Sequence, residues 1–134
     1  MELSDIPHVG MDARIGLRVT ALEPDRLTAV LEVTPELLDE TGTLHRGVIS
    51  TAVETAASVA GAAWFAGRGN VVGVSNTTSH FASTADGRVD VIALPVARLD
   101  DRQLWAVRVL SGELLLAQGK VALANVPDAN VLGG

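Results

Sequence analysis

Apolar and polar residues alternate through six stretches of the chain: Ile15 to Leu22, Arg26 to Thr34, Val71 to Ala82, Arg88 to Leu99, Gln103 to Leu110 and Leu114 to Val126. A period of two marks strands with one buried face. The stretch from Gly47 to Ala66 reads differently, being rich in alanine, free of proline and charged only at Glu54. Its intrinsic propensity predicts one long helix. Turn signals at Glu23-Pro24-Asp25, Asp86-Gly87, Asp100-Asp101 and Ser111-Gly112 make the later strands antiparallel neighbours. A helix that is apolar nearly all round has to be covered nearly all round. The pattern therefore predicts an α+β fold in which a curled antiparallel sheet wraps one long central helix.

The 134 residues suit one domain, 1–134, with a core from about residue 13 to 126 and loose termini, including a tail from Pro127. The length of the apolar helix raises a membrane span as an alternative. Against it, Ser50, Thr51, Glu54, Thr55 and Ser58 interrupt the run, and Arg46 and Arg68 bracket it. A net charge of −6 disfavours binding to nucleic acid, whose phosphates demand Lys and Arg. Nine of the ten basic residues are Arg, so a polyphosphate ligand would need a local patch. Cysteine is absent, which removes disulfides, thiolate metal sites and cysteine nucleophiles together. The first ten residues carry Glu2 and Asp5 and lack a basic, then apolar, secretory leader, so a cytoplasmic protein is expected.

Several chemistries lack their usual signatures: there is no Gly-x-Ser-x-Gly elbow and no phosphate-cradling glycine loop. The three histidines, His8, His45 and His80, do not show the spacing of a helical metal site, and no metal is expected. What remains is Asp39 to Ser58. A loop delivers His45 to the start of the helix, and Glu54 follows about two and a half turns later. Backbone N–H groups near Arg46 and Gly47 are free at a helix N-terminus and suit a developing oxyanion. Glu54 could attack a carbonyl or deprotonate a water that does so. Ser58, one turn on, shares its face. An ordinary helical Glu is a solvated surface charge, but a lone carboxylate on so apolar a helix either faces a wet cleft or has a raised pKa.

The run Leu-His-Arg-Gly-Val, with Glu54 nine residues after His45 and Gly42 three before it, resembles a family of hot-dog thioesterases, in the 4-hydroxybenzoyl-CoA and phenylacetate-pathway branch. The likeness extends through Val-Val-Gly-Val-Ser-Asn-Thr-Thr-Ser-His-Phe-Ala-Ser-Thr-Ala-Asp-Gly-Arg-Val and covers roughly Gly16 to Val126. It implies an acyl-CoA thioesterase with no cofactor beyond the CoA of its substrate. Glu54 would be the catalytic carboxylate, the Arg46 N–H the oxyanion donor, His45 the support of that loop and Ser58 a hydroxyl orienting water. Gly47, His80, Ser83, Thr84, Gly87 and Arg88 would contact substrate and CoA, and Arg88 suits a phosphate. The acyl pocket would draw on small helix residues such as Ala57 and Gly61.

Two positions depart from the family pattern. Arg46 stands where the first glycine of His-Gly-Gly is usual, and Asp39 where an amide side chain is usual. An ionised Asp cannot donate a hydrogen bond. It would be a second acid or base, paired with Glu54 across a dimer, or a mark of weakened activity. The resemblance also implies a dimer or tetramer with shared active sites. Two other readings stay open: a hydratase of enoyl or hydroxyacyl thioesters using Asp39 and His45, and a non-catalytic acyl-CoA-binding module.

Overall fold

The computed structural model describes residues 1–128, so the tail beyond Asp128 lies outside the described residues. Two α-helices, two single-turn 3-10 helices (Leu3–Asp5 and Pro35–Leu37) and six strands make up the described residues. Helix α1 (Gly10–Ile15) precedes β1 (Arg18–Glu23) and β2 (Arg26–Glu32); the long helix α2 (Arg46–Trp64) follows, and then β3 (Gly69–His80), β4 (Arg88–Arg98), β5 (Arg102–Ser111) and β6 (Leu114–Pro127). All six strands join one antiparallel sheet in the order β1-β2-β4-β5-β6-β3. No helix among the described residues is long and apolar enough to cross a membrane.

The core forms where α2 lies against the concave face of the sheet. Ile49, Ala52, Val53, Ala56, Ala57, Ala60 and Gly61 repeat at intervals of three and four, which puts them on one helical face, and all are buried. They meet Leu27, Ala29 and Leu31 of β2, Val89, Val91 and Ala93 of β4, Trp105, Val107 and Val109 of β5, and Val121 and Leu123 of β6. Alanines on the helix let the sheet approach closely, and the bulk comes from the strands.

At its C-terminal end the helix is tied down by a buried polar network. Gln103 Nε2 donates to the Gly61 carbonyl at 3.2 Å and to Asn125 Oδ1 at 2.7 Å, while Trp105 Nε1 donates to Gln103 Oε1 at 2.8 Å. Asn125 Nδ2 in turn donates to the Leu99 and Asp100 carbonyls. Each buried amide thus has partners, as burial demands.

The start of the chain differs from the expected strand over Ile15 to Leu22. Gly16 takes a left-handed conformation at φ 73° and closes α1, with its N–H turned back to Ala13 and the Leu17 N–H bonded to the Asp12 carbonyl at 3.0 Å. The strand begins only at Arg18. Asp12 also accepts a hydrogen bond from Thr55 Oγ1 at 2.6 Å, which docks α1 on α2.

Strand β3 occupies one edge of the sheet and contains a bulge. Gly73 pairs with Leu123 and Ser75 with Ala122, so Val74 is extra. The insertion changes which residues face inward. Ahead of it Val71 and Gly73 lie on the α2 side; after it Asn76, Thr78 and His80 do, opposite Val121, Gly119 and Ala117.

Candidate active site

The helix start is shaped by its N-cap. His45 has an extended backbone, and its Nδ1 accepts the Gly47 N–H at 2.8 Å, while its carbonyl accepts from Val48 and Ile49. A β-carbon on Gly47 would lie 2.8 Å from the His45 ring, so glycine is what lets the ring fold over the helix end. Both amides near Arg46 and Gly47 were expected to be free, and the structure corrects this for Gly47, whose N–H is taken up by His45. The Arg46 N–H, first in the helix, has no acceptor among the described residues.

The loop ahead of the cap is fixed by Asp39. Its Oδ1 accepts from the Thr41 N–H at 2.9 Å, from Thr41 Oγ1 at 2.6 Å and from the Thr43 N–H at 3.4 Å. Asp39 N–H bonds the Thr43 carbonyl, and Gly42 makes the bend at φ 80°. The Thr41 hydroxyl, chiefly, with the backbone N–H groups and His45, holds the Asp39 carboxyl below the usual carboxylate range. Asp39 is therefore an ionised turn residue, whose hydrogen bonds are all local.

From this cap a furrow runs between α2 and the inner side of β3, which lie antiparallel. Asn76 Nδ2 donates to the Ser50 carbonyl at 3.1 Å, and Thr78 Oγ1 donates to Asn76 Oδ1 at 2.7 Å. One turn along the helix the half-buried Glu54 carboxylate rests against Gly73. One further turn on, Ser58 and Val71 line a cavity of about 270 Å³ together with Ile6, Pro7, Val59 and Ala62. Glu54 has neither a hydrogen bond nor an ion pair among the described residues.

His80 stands at the other end, toward the helix start. Its Nδ1 is buried without a partner, and burial, followed by the nearby Arg46 charge, lowers its pKa from the ordinary 6.5. The furrow between α2 and β3 thus sets Glu54 beside Gly73 and Ser58 beside Val71, with Arg46 near His80 at the helix start and His45 as its cap. Ser83, Thr84, Gly87 and Arg88 sit apart from it, in the loop and strand that follow His80. The Thr84 carbonyl accepts from Leu44, stitching that loop to the cap, and its Oγ1 donates to the Asp86 carbonyl; Ser83 is exposed. Gly87 turns at φ 84°. Arg88 alternates with buried Val89 and so lies on the outer face of the sheet, with Nε 3.3 Å from Asp90.

Three further residues belong to the furrow: Ser50, Gly73 and Asn76. Ser50 was readable from the four-residue spacing to Glu54 and Ser58; the other two depend on the bulge. Ala57 and Gly61, expected in an acyl pocket, face the core instead. Ala57 is fully buried, and Leu123 and Gln103 fill the space beside Gly61. Among the described residues no group of three or more His, Asp or Glu side chains could hold a metal ion.

The chain was compared with known proteins. The family model of the thioesterase superfamily matches residues 41–118, from the Asp39 turn through the furrow and into β6. The Mycobacterium tuberculosis protein named "putative esterase Rv1847" is 38% identical over 122 residues, covering 88% of this chain and 87% of its own. Its solved structure superposes with a TM-score of 0.86 over 90% of this chain and 98% of that one. AziG of S. sahachiroi gives a TM-score of 0.87 at 39% identity, covering 91% and 100%. The 1,4-dihydroxy-2-naphthoyl-CoA hydrolase of Listeria monocytogenes is 28% identical over 75% of this chain and 82% of its own.

Proposed function

This chain belongs to the thioesterase superfamily and is a thioester hydrolase of the hot-dog fold, and on that premise we propose that it cleaves an acyl-CoA thioester to a free acid and CoA with Glu54 as the working carboxylate. The observation that carries the reading is the half-buried Glu54 carboxylate in a furrow headed by the Arg46 N–H, both without a partner among the described residues. In this reading the thioester carbonyl oxygen accepts from the Arg46 N–H. Glu54 takes a proton from water as the water oxygen bonds to the carbonyl carbon. The tetrahedral oxyanion is held by the same N–H, then collapses, breaking the carbon–sulfur bond and releasing CoA thiolate, which takes up a proton. Direct attack by Glu54 gives an acyl anhydride that water then hydrolyses, with the same products. Neither route needs a cofactor.

Ser58, one turn beyond Glu54, is suited to hold the water. His45 fixes the cap, Gly47 admits its ring, and His80 faces the same furrow. Ser83, Thr84, Gly87 and Arg88 follow in the chain toward the outer rim, where the pantetheine and phosphates of CoA would run. Asp39 in this reading shapes the loop rather than moving protons. A hydratase would need Asp39 and His45 to act as a pair; no hydrogen bond joins them among the described residues, and Asp39 Oδ1 and His45 Nδ1 are each engaged locally, which weighs against it. Strand β3 is an edge with exposed Val72 and Val74, and in this reading it pairs with β3 of a second copy so that each furrow is completed by a partner.

The test is thiol release from a panel of acyl-CoAs by the wild type and by Glu54→Gln. Loss of on the order of a hundredfold or more in kcat is expected. Equal thiol release by both proteins would sink the assignment of Glu54, and binding without turnover would favour a non-catalytic module.

A further inference from the structure

Glycine inside a strand is costly, since it adds backbone entropy and contributes no side chain to packing. Where one persists, either its dihedral angles or a close neighbour usually requires it. Gly73 has no positive φ, so its backbone places no demand for glycine. A neighbour does. A β-carbon built on Gly73 would fall on Glu54 Oε1, with Glu54 Cδ at 3.4 Å.

The carboxylate has no hydrogen bond among the described residues, and its close neighbour on β3 is the bare backbone at Gly73. Gly73 is also the last inward-facing residue ahead of the bulge, where the inner row of β3 passes to Asn76. The bare strand leaves a niche on the inner side of β3, bounded along the furrow by Val71 beside Ser58 and by Asn76 beside Ser50.

We propose that Gly73 is a positioning residue, whose missing side chain forms the niche that seats the Glu54 carboxylate toward the reacting carbon. The functional half of this inference rests on the reading of Glu54 as the working carboxylate; the steric half does not. Alanine at Gly73 drives the carboxylate out of the niche. Binding surfaces along the rest of the furrow stay as they are, so kcat falls while KM moves little. A displacement of about an ångström at a reacting group costs on the order of tens- to a hundredfold.

A double-mutant cycle tests both halves. Melting temperatures are measured for wild type, Gly73→Ala, Glu54→Ala and the double variant. Gly73→Ala is expected to shift the melting temperature less favourably with Glu54 present than in the Glu54→Ala background, where no carboxylate has to move aside. An equal shift in both backgrounds would overturn the proposal. Steady-state thiol release supplies the second readout. Gly73→Ala should lose kcat at near-constant KM, and Glu54→Asp, whose shorter carboxylate clears the new methyl group, should restore part of that loss when added to it. Wild-type kcat in a folded Gly73→Ala protein, or a Gly73→Ala/Glu54→Asp protein no better than Gly73→Ala, would overturn the positioning role. Full activity in Glu54→Ala alone would instead refute the catalytic reading and the functional half with it, while the melting cycle still decides whether the niche exists.

Discussion

His80 brings a titratable ring to the furrow with one nitrogen sealed from water and no acceptor or donor to meet it among the described residues. Its folded pKa lies below 6.5, chiefly through burial and then through Arg46. The unfolded chain therefore takes up a proton near 6.5 that the folded chain resists. Stability contributed by neutral His80 is complete above that value and declines as pH falls toward the folded pKa. The difference between the chemical denaturation midpoints of wild type and His80→Gln should be constant above neutrality, and the wild type should lose more as pH falls below 6.5. Parallel curves would refute it. Asp39 contributes in the same sense but at lower pH, because its carboxyl is held below 3.8. Its part is lost as pH falls from that ordinary value through the lowered one, which keeps the two windows apart.

At the scale of single residues the candidate chemistry was partly legible. Glu54 announced itself as the lone charge on an apolar helix, and Ser58 followed by spacing. His45 was readable as a cap, but the cap's effect on Gly47 was not, because it depends on the rotamer that folds the ring back onto its own chain. Gly73 was silent, since its reason for being glycine lies on another element.

Elements were read more easily than their ends. Alternation found all six strands and the long helix, because one-sided burial writes itself into the sequence. It failed around Val71-Val72-Gly73-Val74, where four small or apolar residues in a row hide the bulge, and with it the side on which Asn76 and His80 fall. It also extended β1 back to Ile15, since buried Ile15 and Leu17 mimic a strand's inner row while belonging to the end of a helix and its closing turn. Gln103 is the polar exception within its strand. It is nearly fully buried and serves α2, β5 and β6 at once. Gln103→Ala would strand the Trp105 N–H and the Asn125 side-chain oxygen in a dry core, while the Gly61 carbonyl keeps the Phe65 N–H, at a cost of about 3 kcal/mol. The midpoint of urea unfolding measures it, and a loss well under 1 kcal/mol would mean that water replaces the network.

For the whole molecule, the curled sheet around a helix followed from composition and period together, since a long helix with a single charge needs a broad sheet to cover its apolar face. Strand order did not follow, because pairing β3 with β6 rather than β4 is a matter of which edges meet. That order leaves β3 with a free edge, and the proposed self-pairing has a direct consequence. Light scattering should give a mass of at least two 13.9 kDa chains, and β3 amides facing away from β6 should exchange slowly in the assembled state and faster on dilution. A single-chain mass at every concentration would refute the shared furrow.

The pairing of β3 with β6 also sets an order of events. Every residue assigned to the furrow lies between Asp39 and Arg88, yet β3 has its strand neighbour only in the last segment of the sheet. As the chain leaves the ribosome, the helix and its cap can form early, while the strand carrying Gly73 and His80 waits unpaired for residues 114 to 127 to emerge. Closing so long a loop is slow, because its entropy is lost before the pairing repays it. A nascent or truncated chain ending before β6 would thus possess all of the proposed catalytic groups and no place in which to use them.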